Sequence, residues 1–118
     1  MSPDAPSRVE LLQGTLDLLI LRTLLTEPAH GHAIAKHIQR TSEELLQIET
    51  GSLYPALHRL EAKGWIRASW ELSDKGKRAR FYRLTPVGRK QLVAERSKWE
   101  TFTHAMALIL NPGDKEAQ

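Results

Sequence analysis

The sequence predicts an α+β, mainly helical domain in which three helices precede a β-hairpin and one long helix follows it. Three observations carry this. Apolar residues recur at helical spacing in three segments before residue 65, and period-two alternation flanks Asp74-Lys75-Gly76. Thr85-Pro86 then opens a segment whose large apolar residues return every three or four positions.

Leu16, Leu18, Leu19, Ile20, Leu21, Leu24 and Leu25 cover most faces of a helix of about twelve residues, which predicts an element buried on nearly every side. Pro28 and Gly31 break that pattern, and Ile34 and Ile38 mark a second helix with one buried stripe, running to about Arg40. Leu46 and Ile48 alternate with Gln47 and Glu49, which predicts a very short strand. The third helix starts near Thr50 to Ser52, either of which is a suitable cap, and stops at Gly64, a residue fitted to the left-handed conformation after a helix. Leu53, Ala56, Leu57 and Leu60 share its inner side, so Ser52, Tyr54, Pro55, His58, Arg59 and Ala62 project from the other.

Ile66, Ala68, Trp70 and Leu72 alternate with Arg67, Ser69, Glu71 and Ser73, as a half-buried strand does. Asp74, Lys75 and Gly76 supply turn chemistry, and residues 80–84 return with Tyr82 and Leu84 on one face. Thr85 caps the last helix, with Pro86 at its first position. In that helix Trp99, Phe102, Met106 and Ile109 repeat with the spacing of a seam that packs on another helix. The expected organisation is a loose segment over 1–7, one folded domain of helices and hairpin over 8–85, a long helix over 86–110 that packs on a partner helix and a flexible tail over 111–118.

Composition narrows the function classes. A chain of 118 residues is one domain by length. It has no cysteine, which excludes disulfides and thiolate metal sites. No apolar run reaches the ~18 residues of a membrane span and no secretory leader is visible, so the cytoplasm, alongside the nucleoid, is the expected location. There is no glycine-rich phosphate loop and no Ser-His-acid spacing, so neither an enzyme nor a cofactor is predicted. His30, His32 and His37 lack thiolate or carboxylate partners at ligand spacing, so no metal is expected and they are read as surface or helix-start groups.

Net charge is only +3, but Lys75, Lys77, Arg78, Arg80 and Arg83 fall within nine residues. Helix-turn-helix followed by a basic two-stranded wing is a DNA-reading arrangement, with the third helix in the major groove and the wing beside it on phosphate or minor groove. A hydroxyl, a phenol, an imidazole and a guanidinium on that helix offer donors to base edges and phosphates. The candidate DNA-binding residues are therefore Ser52, Tyr54, Pro55, His58 and Arg59 on the helix and Lys75, Lys77, Arg78 and Arg80 on the wing. Tyr54 and Pro55 are equally suited to packing the helix start against the hairpin.

A family resemblance is carried by three runs in order. Residues 51–66, GSLYPALHRLEAKGWI, resemble the recognition helix of PadR transcriptional regulators, with its Leu-Tyr-Pro core. Residues 80–88, RFYRLTPVG, resemble that family's wing strand and the Leu-Thr-x-x-Gly start of its last helix. Residues 14–25 followed by His30-Gly31-His32 resemble its first helix and a His-Gly-Tyr that often opens the second, with His32 in place of Tyr. The resemblance implies a winged helix-turn-helix repressor. It would bind double-stranded operator DNA as a homodimer joined through the C-terminal helix and be released by a small effector.

The short C-terminus resembles the smaller subgroup of that family, some of whose members bind flat aromatic compounds between subunits. Trp99, Phe102, Met106 and Ile109 are thus candidates for a dimer or effector interface, and Trp99 suits either plain dimer core or a ligand platform. Two other classes stay open: a winged helix used for protein association, and an effector-binding adaptor without DNA contact. Steep weakening of DNA binding by salt separates the first of these from operator binding.

Overall fold

The computed structural model describes residues 13–113. The expected loose segment 1–7 and the tail beyond residue 113 lie outside them. In chain order the elements are α1 (Gln13–Thr26), β1 (Ala29–His30), α2 (Gly31–Thr41), α3 (Thr50–Ala62), β2 (Ile66–Leu72), β3 (Arg78–Leu84) and α4 (Pro86–Leu110). The sheet is antiparallel with β3 between β1 and β2.

Helix α1 holds the centre, as its nearly continuous apolar run predicts. Leu16, Ile20, Leu21 and Leu24 are buried, and Leu18, Leu19 and Leu25 are partly covered. Around them pack Ile34 and Ile38 of α2, Leu53, Ala56, Leu57 and Leu60 of α3, Ile66 and Tyr82 of the sheet, and Leu92 of α4. Each large side chain removed from water contributes about 1.5–3 kcal/mol, so this one cluster supplies most of the drive to fold.

Two details differ from the sequence reading. No strand forms at Leu46–Ile48: the segment is irregular, with the Leu46 N–H donating to Ser42 Oγ at 3.1 Å, and the short strand is Ala29–His30 instead. The alternation at 46–49 reflects burial, because Leu46 and Ile48 lean on the core. A strand also needs an open sheet edge, and Ala29 and His30 occupy the free edge of β3 opposite Tyr82 and Phe81. The cap of α3 likewise lies one residue earlier than expected, at Glu49, whose carbonyl accepts from the N–H groups of Ser52 and Leu53 at 3.0 and 2.9 Å.

The predicted stop of α3 forms as a Schellman turn. Gly64 has φ +77°, its N–H donates to the Glu61 carbonyl, and the Trp65 N–H donates to the Leu60 carbonyl. The wing turn closes through Ser73, whose N–H donates to the Lys77 carbonyl at 2.7 Å, with Gly76 at φ +77°.

Helix α4 begins as Thr85-Pro86 foretells, with Thr85 Oγ1 accepting from the Gly88 N–H at 3.0 Å. The same hydroxyl donates to the Gly64 carbonyl at 2.7 Å, and the Thr85 N–H donates to the Trp65 carbonyl at 3.1 Å. Gly88 presses its bare Cα against this junction. From there the 25-residue helix runs past the body, which stretches the molecule to 61 × 33 × 21 Å. The radius of gyration of 16.8 Å exceeds the ~13 Å of a compact domain of this size.

A Cβ at position 88 would stand 2.0 Å from the Trp65 carbonyl oxygen and 2.9 Å from Leu84 Cδ1. The first neighbour is backbone and has no room to yield, so Gly88→Ala is expected to cost about 3 kcal/mol or more. Urea unfolding checks this, and a midpoint equal to the wild type would refute it.

Candidate nucleic-acid interface

The sequence-predicted residues divide into those that meet at one cleft and those that do not. Tyr54 and His58 of α3 face Lys75, Lys77, Arg78 and Arg80 of the wing across an open cleft of about 680 Å³, whose floor includes Gly31 and Tyr82. Ser52 and Pro55 are exposed near the start of α3 and do not line the cleft. The basic side chains are exposed because the two-stranded wing outruns the helices that cover its base.

Tyr54 is positioned by a glycine. Its ring lies on Gly31 so closely that a Cβ there would meet the phenol oxygen at 2.6 Å and Cζ at 2.9 Å. The His-Gly start of α2 therefore acts in two ways. His30 Nδ1 accepts from the Ala33 N–H at 3.1 Å and caps the helix, and Gly31 makes room for Tyr54. His30 also meets the edge of Phe81 at 5.4 Å between ring centroids and stacks loosely on the exposed His32 at 6.4 Å. Tyr54 thus packs the start of α3 on α2, where packing on the hairpin was the expectation, and remains 39% exposed.

Arg80 ties the two sides of the cleft together through an ion pair with Glu61 of α3 at 2.8 Å. Beneath it burial pushes the Tyr82 phenol above its ordinary value, with the nearby Arg80 charge opposing the rise. On the opposite face of the wing, hydrogen bonds from the Ser69 hydroxyl and the Arg83 guanidinium hold the Glu71 carboxyl below the usual carboxylate range. Arg83 is thereby engaged within the sheet, away from the cleft.

Arg59 departs from its expected outward position. Its Nη2 donates to Asp17 Oδ1 of α1 at 2.9 Å, and its Nε is enclosed without a hydrogen-bond partner among the described residues. The Asp17 side chain is only 8% exposed and that of Arg59 31%. Helical spacing assigns Arg59 to the outward side, but an acid 42 positions earlier in the chain draws its guanidinium inward. Its place in the interface is thus to fix α3 on α1.

Trp70 escaped the sequence reading because alternation assigned it to the inner face. It does lie on the face of Ile66 and Ala68, but beyond the body that face has no cover, and Trp70 lines the cleft at 56% exposure. The available signal was the length of the hairpin, since seven-residue strands span more than the helices beneath them.

The second group of candidates lies elsewhere. Gly88, Leu92, Glu95, Trp99, Phe102, Met106 and Ile109 form one stripe of α4; its first two residues are buried against the body. From Trp99 on the stripe is open, with Trp99, Phe102, Met106 and Ile109 at 39, 50, 40 and 75% exposure and the Trp99 and Phe102 rings 5.7 Å apart. Trp99 and Phe102 line a groove of about 280 Å³ with Gly14, Thr15 and Leu18 of α1. Among the described residues no helix is long and apolar enough to cross a membrane.

Replacing Arg59 by Met would strand the buried Asp17 carboxylate, at a cost of about 3 kcal/mol. The double variant Asp17→Asn/Arg59→Met should recover much of that loss, because it removes both charges together. Thermal melts of the three proteins test the pair, and an Arg59→Met protein as stable as the wild type would refute it.

The sequence and fold agree with known proteins. Residues 20–94 match the model of the transcriptional regulator PadR-like family. A transcriptional regulator of Mycobacterium tuberculosis is 33% identical over 91 residues, which cover 77% of this chain and 81% of that protein. The solved structure of a transcriptional regulator from Clostridium thermocellum is 32% identical with a TM-score of 0.73, covering 80% of this chain and 91% of that one. The structure of a PadR family transcriptional regulator from Eggerthella lenta is 30% identical with a TM-score of 0.71, covering 86% of both chains. With three helices, a basic wing and a long final helix in this order and geometry, the chain belongs to the PadR-like family of transcriptional regulators.

Proposed function

We propose that this regulator binds double-stranded operator DNA as a homodimer and represses transcription until a small apolar or aromatic effector releases it. One observation carries the reading: the exposed polar side of α3 and the cationic wing border the same cleft. A B-form major groove about 12 Å wide admits one helix, and a wing beside that helix meets the flanking backbone. Ser52, Tyr54, Pro55 and His58 then face the groove, and Lys75, Lys77 and Arg78 neutralise phosphates. Two copies related by a two-fold axis would set their α3 helices in successive grooves about 34–36 Å apart, so the operator should be an inverted repeat. The site of action would be the nucleoid in the cytoplasm.

The homodimer is supported by the open stripe of α4. Four large apolar side chains at heptad-like spacing are otherwise left to water, and a second α4 is the partner that this spacing fits. The groove at Trp99 opens beside the same stripe, so an effector seated there would touch the contact that sets the distance between the two recognition helices. Such coupling requires the effector to bind the two dimer geometries with different affinity.

Fluorescence anisotropy with labelled duplex tests the DNA reading. The plot of log affinity against log salt should fall steeply, and Lys75→Gln/Lys77→Gln should flatten it by about 0.9 for each phosphate no longer neutralised while weakening all sequences alike. Affinity that is indifferent to salt would instead favour a winged helix used for protein association.

For the dimer, Phe102→Asp/Met106→Asp should give a monomer by sedimentation with α1 to β3 still folded and operator affinity abolished. Planar aromatic compounds should quench tryptophan emission in the wild type, and the quenching should be lost in Trp99→Phe, which keeps Trp65 and Trp70. A dimer that survives the two aspartates would refute the seam, and unquenched emission across a varied aromatic library would refute the effector site.

A further inference from the structure

Pairing of Trp70 with Arg80 and of Leu72 with Arg78 sets these side chains on one face of the wing. Toward the body the same face is closed by Ile66 and Tyr82. Toward the tip it is open, with Trp70 56% and Leu72 69% exposed. The Arg78 guanidinium lies 5.5 Å from the centroid of the Trp70 ring, close enough for a cation–π contact that orients the charge and occupies part of the indole. The rest of the ring faces the cleft.

The occupant of this surface must suit two kinds of chemistry at once. With Arg80 paired to Glu61, Lys75, Lys77 and Arg78 still line the cleft against Asp74, an excess of positive charge that an anionic occupant suits. An indole beside them requires apolar surface within one residue's reach of that charge. A nucleic-acid backbone alternates the two, phosphate with sugar. In a duplex the base faces are stacked inside, which leaves the carbon skeleton of deoxyribose as the apolar surface that an indole on the wing meets.

We infer that Trp70 packs on a deoxyribose of the DNA backbone while Arg78, held by the same indole, pairs with the adjoining phosphate. The inference rests on the DNA-binding reading and deepens it. It makes Trp70 a binding residue whose contribution is independent of base sequence and independent of charge, unlike the wing cations and unlike the polar side of α3.

The test compares the wild type with Trp70→Ala, Trp70→Phe and Arg78→Gln on two labelled duplexes, one carrying the operator and one unrelated, across a salt series. Trp70→Ala should weaken both duplexes by the same factor, roughly 5- to 30-fold, with no change in the salt slope, because it removes apolar contact and no charge. Trp70→Phe should restore most of the affinity, and Arg78→Gln should weaken binding and flatten the slope together. Wild-type affinity in Trp70→Ala, or a loss confined to the operator, overturns the inference while leaving DNA binding intact. Absence of salt-dependent duplex binding by the wild type overturns both.

A second measurement keeps Trp70 in place. The chain has three tryptophans, Trp65, Trp70 and Trp99. Adding duplex to the wild type should shield from acrylamide a part of the emission that is missing in Trp70→Phe, and equal shielding in the two proteins would overturn the contact.

Discussion

The geometry of this regulator depends on one close approach, the bare Cα of Gly88 against the Trp65 carbonyl. That contact joins the first turn of α4 to the residue that follows the stop of α3, and Thr85 locks it by capping α4 while hydrogen-bonding the same short segment. Both ends of the junction are fixed by backbone chemistry, a left-handed glycine on one side and a Thr-Pro helix start on the other. The direction in which α4 leaves the body is therefore set at this junction. In a dimer formed along α4, the same junction would set the separation of the two recognition helices.

A second constraint acts from beneath. The Asp17–Arg59 pair pins α3 to α1, and α1 packs against α2, α3 and α4. Displacement of α4 would be felt by α1, and α1 is joined to α3 by a partly buried ion pair whose rupture is costly. This gives a physical route from the apolar stripe of α4 to the polar side of α3. Above it, Glu61–Arg80 ties α3 to the wing. Helix α3 and the wing are thus held as one surface, with Tyr54 of α3 seated on Gly31.

Much of this is legible in the chain. The apolar run of α1, the stripe of α3, the turn at Gly76, the Gly64 stop and the Thr85-Pro86 start are local signals, and each element stands where they put it. The short strand falls elsewhere than expected because alternation reports which side chains are covered, whereas pairing is decided by a sheet edge formed by a distant part of the chain. Arg59 turns inward for a related reason: it sits on the flank of its helix, and a buried carboxylate from α1 settles its direction. Trp70 is hidden by a correct alternation whose inner face runs out of body to lie on.

The order of elements, the residues of the core, the concentration of positive charge at the wing and the unpartnered stripe on the last helix can all be read along the chain. They follow from periodicity, capping and turn chemistry, which act over a few residues. The folded arrangement was needed to establish which exposed groups share a cleft, that Arg59 serves the packing of α3, that an indole stands among the wing cations, and how α4 leaves the domain. Each of these is fixed by contacts between segments distant in the chain, whose strength depends on burial and close approach, quantities that spacing along a sequence does not carry.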